Sequence, residues 1–461
     1  MSAAAYSAPA SPAGKGQIRQ YVVLKATPDL LKIYDSGAFD EIRNYLVRAI
    51  GIGQIDAAFK QDAIRVAVLP SRKWKLWRSG LAPELPPVDG LIVVLTFASD
   101  EVRAQFHALV GMAPPKAIVN IGADLAFAPT QFWCPGEGGQ SLFATRAEAE
   151  LLMHAAYLKK KGRRGQGVNV IVVDQGFDES LVPNFGGRWH NAPPPPQGWG
   201  SEHGNRILRN IRSIAPDATF WDLPLIPTAI TDIPQFVSDA QASFETVRHD
   251  IARLRRQHQV RGPWVMVNAW GIFDRRSETP THRYTDNLHH PFNDEVARFD
   301  AAGVDVIFAA GNCGQFCPHP RCGNGDRGPG NSILGANAHP QVLTVGAVTN
   351  DCLWLGYSSQ GPGPGDLSPD KPDLCAPSQF AEIADARAGN TGTSTASALA
   401  AGVVAAMRSK WNAAAIAPAA LRSILRDNPR AIDGIALPDH RFGHGILDAR
   451  KAYRAARARH P

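Results

Sequence analysis

Apolar positions along the chain fall into two successive regimes. In the first, Tyr21-Val22-Val23-Leu24 reads as a strand, and Phe39, Ile42, Leu46 and Ala49 recur at the spacing of an amphipathic helix over 38–50. Ile64, Val66 and Val68 alternate as a second strand, and Leu91-Ile92-Val93-Val94-Leu95 makes a third. Ser99 or Asp100 then caps a helix carrying Val102, Phe106 and Leu109. This pattern predicts a small α/β domain over 19–128, with a Pro-rich connection at 83–87. Residues 1–18, rich in Ala, Ser, Pro and Gly, are expected to be disordered. Residues 129–144 read as a linker.

The second regime, 145–461, has longer apolar runs alternating with helical segments. It opens with a helix carrying Leu151 and Leu158 on one face, then a basic, glycine-broken loop at 159–165. Val170-Ile171-Val172-Val173 is a buried strand ending at Asp174, and a short helix opens at His203. A strand around 218–221, a long helix within 233–258, a strand at 264–269, a helix at 294–302, a strand to Ala310 and a strand at 342–348 follow. Near the end, Gly392-Thr393-Ser394-Thr395 breaks from a loop into a buried helix whose first residue is expected to be Ser394. Alternating buried strands and helices predict a parallel, doubly wound α/β sheet with functional residues at the strands' carboxyl ends. Two stretches interrupt the alternation: the extended Pro193–Pro196 loop and a polar segment at 272–292 containing His282, His289 and His290. Those histidines are expected to be solvated. The segment follows a strand end, which suits a role in specificity better than a metal site.

Composition narrows the function classes. The 461 residues are 44% hydrophobic and 20% charged, ordinary for a globular chain of two or three domains. A net charge of +6 without a basic, aromatic-laced stripe gives no reason to expect a nucleic-acid partner. No apolar run reaches the about eighteen residues of a membrane span, and the N-terminus lacks the basic and apolar regions of a secretory signal. No membrane partner and a cytoplasmic location are the resulting expectations. The sequence leaves the oligomeric state open.

Four segments carry candidate chemistry: the strand ending at Asp174, Glu202-His203-Gly204, the strand ending at Ala309-Ala310-Gly311-Asn312, and Gly392-Thr393-Ser394. Singly they read as a strand-end cap, a surface histidine, a turn asparagine and a helix cap. Together, in the order Asp, His, Asn, Ser, they resemble the four blocks of the subtilisin-like serine proteases. Val265 to Gly271, Tyr357 to Gly363, Lys371 to Pro377 and Phe442 to Ala449 add to the resemblance, which covers about two-thirds of the chain from near residue 145.

The resemblance implies that Ser394 is the nucleophile, His203 its general base and Asp174 the group that orients the imidazole. The Asn312 side-chain amide and the Ser394 N–H would form the oxyanion hole. The implied activity is endopeptidase hydrolysis of a polypeptide through an acyl-enzyme. A transpeptidase or macrocyclase using the same intermediate, or a catalytically silent peptide binder, are the alternatives. Ala269, Trp270, Gly271, Ala309, Ala310 and Gly311 match the substrate-lining segments. Small residues there imply a roomy, neutral primary pocket for apolar or aromatic side chains, with Trp270 narrowing the next subsite. The family pattern is broken at Asn205-Arg206, Ala398-Leu399 and Ala269-Trp270, none of them a catalytic position. No cofactor is required. Structural calcium is frequent in the family, but no matching acidic loop is identifiable here. Relatives also carry an N-terminal α/β propeptide; here a retained, regulatory N-terminal domain is favoured. Among Cys134, Cys313, Cys317, Cys322, Cys352 and Cys375 the spacing matches no zinc signature. Reduced thiols are expected first, disulfides between neighbours second.

Overall fold

Val170 and Val172 face one core layer and Ile171 and Val173 the other, as a strand covered on both sides requires. A computed structural model describes residues 18–36, 41–42, 44–46, 63–69, 75–77, 90–112, 118–124, 144–190, 200–227, 235–382 and 389–461. The central sheet runs in the order 374–377, 343–348, 304–309, 264–268, 169–173, 219–223, 185–190, 75–77. Its first seven strands are parallel. The last, Lys75–Trp77, comes from the N-terminal region and pairs antiparallel with Phe185–His190. The strand order reverses between Asn169–Val173 and Trp264–Asn268, so the C-terminal ends of these two strands open the crevice where such sheets carry their sites.

On one face lie the helices Glu202–Ile214 and Gly392–Arg408, packed together. Gly392–Arg408 is buried along its whole length, which suits its all-round Ala, Val and Leu composition. On the other face lie Phe236–Arg256 and Pro291–Ala301. Against these helices sits a second, antiparallel sheet in the order 64–68, 90–97, 18–25, 118–123. Period two splits its side chains cleanly. Tyr21, Ile92 and Val94 join the catalytic layer, while Val22, Leu24, Leu91, Val93 and Leu95 pack on Leu30, Val102 and Phe106. Ser99 caps the helix Asp100–Met112. Of the helix expected over 38–50, residues 41–42 and 44–46 are helical, with Ile42 and Leu46 buried; Phe39 and Ala49 lie outside the described residues. Residues 1–17, 83–87, 125–143 and 193–196 lie outside them too.

Three local expectations are corrected. Leu151 and Leu158 do not share a face: the chain reverses at His154 (φ 53°) between helices Arg146–Leu152 and Ala156–Lys160, leaving Leu151 68% exposed and Leu158 buried. The His154 imidazole, 3.0 Å from Asp448, holds that reversal. The late buried helix begins at Gly392, which takes a φ of 78° only glycine adopts easily, so Ser394 is its third residue. The histidines of 272–292 are not all solvated. His290 is buried between Tyr21 and Tyr284, and His282 stacks on His107 of the N-terminal unit at 5.0 Å. Among the described residues no helix is long and apolar enough to cross a membrane, and no cluster of three His, Cys, Asp or Glu is arranged to hold a metal.

Candidate active site

Asp174 follows directly on the strand Asn169–Val173 and is 1% exposed. Its Oδ1 accepts from the Gln175 N–H and lies 2.7 Å from His203 Nδ1. A carboxylate only accepts, so the imidazole proton sits on Nδ1 and Nε2 is left as the basic nitrogen. Ser201 caps the His203 helix by accepting from the Gly204 N–H, and its own N–H donates to the Gly176 carbonyl at 3.0 Å. A Cβ on Gly204 would stand 2.0 Å from that carbonyl, so the histidine reaches Asp174 only because glycine follows it. Behind Asp174, the buried Arg188 and Asp222 bond to each other and to the backbone of Phe177. Burial pushes the Asp222 carboxyl up to about 7, with Arg188 pulling against it. Asn205 accepts from Asp178 N–H and Arg206 donates to the Gly389 carbonyl, so both departures from the family pattern brace the loops around the histidine.

The register that pairs Val173 with Asn268 brings Asp174 alongside Ala269. Ser394 Oγ donates to the Ala269 carbonyl at 3.1 Å, which gathers aspartate, histidine and serine at the mouth of the crevice. Asn312 joins them from the neighbouring strand. Its Oδ1 accepts from both the N–H and the hydroxyl of Thr393, each at 3.0 Å, and Thr393 Oγ1 in turn accepts from Gly311 N–H. With the amide oxygen so committed, the Nδ2 group is the end that faces outward. Thr393 therefore orients Asn312, a role sequence reasoning missed although the residue adjoins Ser394. Ser359, which accepts from Cys313 N–H and donates its own N–H to the Gly311 carbonyl, was missed as well, although it lies in the Tyr357 to Gly363 segment that carries part of the resemblance.

Of the expected pocket residues, Ala269 to Gly271 lie just past the end of the strand Trp264–Asn268, Ala309 ends the neighbouring strand Val304–Ala309, and Ala310 and Gly311 follow it. The Ala310 methyl packs with Ile333, Ala338 and Leu367. Trp270 is corrected: its indole is 3% exposed, packs edge-on against Phe236 and Phe308, and donates to Asn268. It belongs to the core and does not narrow a subsite. Reduced thiols are corrected too at one pair. Cys313 and Cys322 are joined in a disulfide, closing a loop whose His319 N–H donates to the Asn312 carbonyl. Cys317, Cys352 and Cys375 are free, and burial pushes the Cys375 thiol well up.

The subtilase family model matches residues 234–445, which include Asn312 and Ser394 but begin after Asp174 and His203. No curated protein matches the chain. Among solved structures, it is similar to MycP1 from Mycobacterium smegmatis (18% identity over 71% of this chain and 88% of that one, TM-score 0.47). It is also similar to the prenylagaramide maturation protease PagA (17%, 66% and 98%, TM-score 0.46). A cold adapted subtilisin-like serine proteinase is a third (18%, 62% and 90%, TM-score 0.43). The matched segment supplies the asparagine and serine blocks, and the parallel sheet folds the aspartate and histidine blocks up beside them. Over residues 234–445 the chain matches the subtilase family of serine peptidases.

Proposed function

We propose that the chain is an endopeptidase in which Ser394 attacks the scissile carbonyl, His203 moves the proton and Asp174 holds the imidazole. The observation that carries this reading is the 2.7 Å pairing of His203 Nδ1 with a buried Asp174, which leaves Nε2 to act as base. During attack the Ser394 proton passes to His203 Nε2, and the imidazolium is stabilised by the carboxylate. The negative charge on the former carbonyl oxygen is met by Asn312 Nδ2 and by the Ser394 N–H, which lies in a helix's first turn where backbone donors lack helical acceptors. His203 then returns the proton to the leaving amine, and a water molecule repeats the cycle on the acyl-enzyme. The small, neutral walls at Ala269, Gly271, Ala309 and Gly311 support a preference for apolar or aromatic residues on the acyl side.

The test is to incubate the wild type and Ser394→Ala with a denatured protein mixture and map new termini. New free carboxyl ends following apolar residues, absent with the variant, are expected. Loss of turnover should be near complete for Ser394→Ala and His203→Ala and smaller for Asp174→Asn, the ranking found in subtilisin. Ligated products, or cleavage that persists in Ser394→Ala, would overturn the proposal.

A further inference from the structure

We infer that Asn337, which lies in neither the aspartate, histidine, asparagine nor serine block, is the positioning residue that sets the width of the primary pocket. The inference rests on the reading of Ala269–Gly271 and Ala309–Gly311 as the pocket's two walls. The strands leading into those walls pair in register up to Asn268 and Phe308. Beyond that pair the ladder stops, and the carbonyls of Trp270 and Ala309 need other donors. Asn337 supplies both: its Nδ2 donates to Trp270 O and to Ala309 O, each at 2.8 Å. One amide group thus replaces the missing rungs and ties the two walls at a fixed separation.

The clamp is itself held. The turn Gly335–Ala338 is anchored by Tyr284 Oη, which accepts from Ala336 N–H at 2.9 Å, and by the Gly335 N–H donating to Thr285 O. Thr344 Oγ1 donates to the Asn337 carbonyl at 2.6 Å. Asn337 is 1% exposed, and its buried Oδ1 has no hydrogen-bond partner among the described residues. The side chain also lies flat against Gly271: a Cβ on that glycine would stand 3.0 Å from Nδ2. The narrowness of this contact makes the wall's position depend on the amide. The two bonds of the clamp run to the Trp270 and Ala309 carbonyls and to no atom of Asp174, His203 or Ser394, so the clamp acts on what enters the pocket and leaves proton transfer alone.

The experiment compares wild type, Asn337→Ala and Asn337→Asp; the aspartate keeps the shape but replaces the donating group with an oxygen. Each is assayed on peptides varied only at the residue preceding the cleaved bond, and each is titrated with a small serine-directed phosphonate. Expected is a fall of about tenfold in kcat/KM for large apolar residues, carried by KM, with discrimination between small and large residues lost. Phosphonate labelling of Ser394 should keep its wild-type rate. An unchanged preference profile in folded variants would overturn the inference, as would equal losses in phosphonate labelling and peptide turnover, or failure of both variants to fold, which would make Asn337 purely structural. Absence of serine-dependent turnover in the wild type would instead sink the underlying assignment of the pocket.

Discussion

Acidification should loosen the seat of the N-terminal sheet through one histidine. His290 Nδ1 accepts from Phe292 N–H at 3.2 Å, so its single proton is on Nε2, facing the Ala123 carbonyl at 3.2 Å. A second proton would have to go on Nδ1, against an N–H donor. Tyr21 from the N-terminal sheet and Tyr284 from the preceding loop pack edge-on against the ring, and His282 faces it from the same loop. Burial, with His282 adding to it and the Ala123 carbonyl opposing, lowers the pKa from 6.5 to about 3. The unfolded chain therefore binds one proton more than the folded one between those values. Stability is full above pH 6.5 and declines as pH falls towards 3, by about 1.4 kcal/mol per unit, or ~2 kcal/mol between pH 8 and pH 5. His107, lowered by burial to about 4, pushes in the same direction. The assay is urea unfolding at pH 8, 7, 6 and 5 in a Ser394→Ala background, which prevents self-digestion, with and without His290→Asn. Asparagine offers an acceptor and a donor but does not titrate. The variant should be less stable at pH 8 yet lose about 2 kcal/mol less on going to pH 5. Parallel stability–pH curves would refute the reasoning.

Two further outcomes are expected. Asn312→Ala should lower kcat by about 10²–10³, the size of such a donor's effect in subtilisin, and Thr393→Val, which removes the hydroxyl bond to the Asn312 amide and keeps the backbone one, should cost less, about tenfold, at unchanged KM; equal kcat in Thr393→Val and wild type would remove the Thr393 hydroxyl from the oxyanion site. Intact masses of wild type and Ser394→Ala followed over time should stay equal, with the N-terminal unit retained; a wild-type cut within 128–145, followed by rising activity, would instead mark that unit as a propeptide.

The strands nearest the site were readable because each is an unbroken apolar run stopped by a polar residue, as at Val173-Asp174. Phe185–His190 was not readable: Gly186 and Gly187 erase its alternation, and its fit depends on a Trp221 ring that a Cβ on Gly186 would strike at 2.2 Å. Lys75–Trp77 is too short to carry a period at all. Trp270 was readable in principle. Period two runs on past the strand end, putting it on the face of Trp264 and Met266, and only the resemblance to substrate-lining segments drew it towards the cleft. Asn337 has no local signature, because its function arises from two carbonyls that are 28 and 67 positions away in the chain.

The short strand Lys75–Trp77 makes the two sheets of this molecule one connected object, because it is borne by the N-terminal region and completes the catalytic sheet. While the chain is whole, the N-terminal unit meets its seat at the effective concentration of a tethered partner, about millimolar. Cutting the connection before Ala144 would not by itself release it. It would turn a unimolecular equilibrium into a bimolecular one, and release would then depend on dilution. Departure would also bare the N–H and C=O groups of Phe185–His190, an unpaired sheet edge available to any other extended chain. A nicked preparation should accordingly remain in one piece when concentrated and, once dilute, become prone to joining edge to edge.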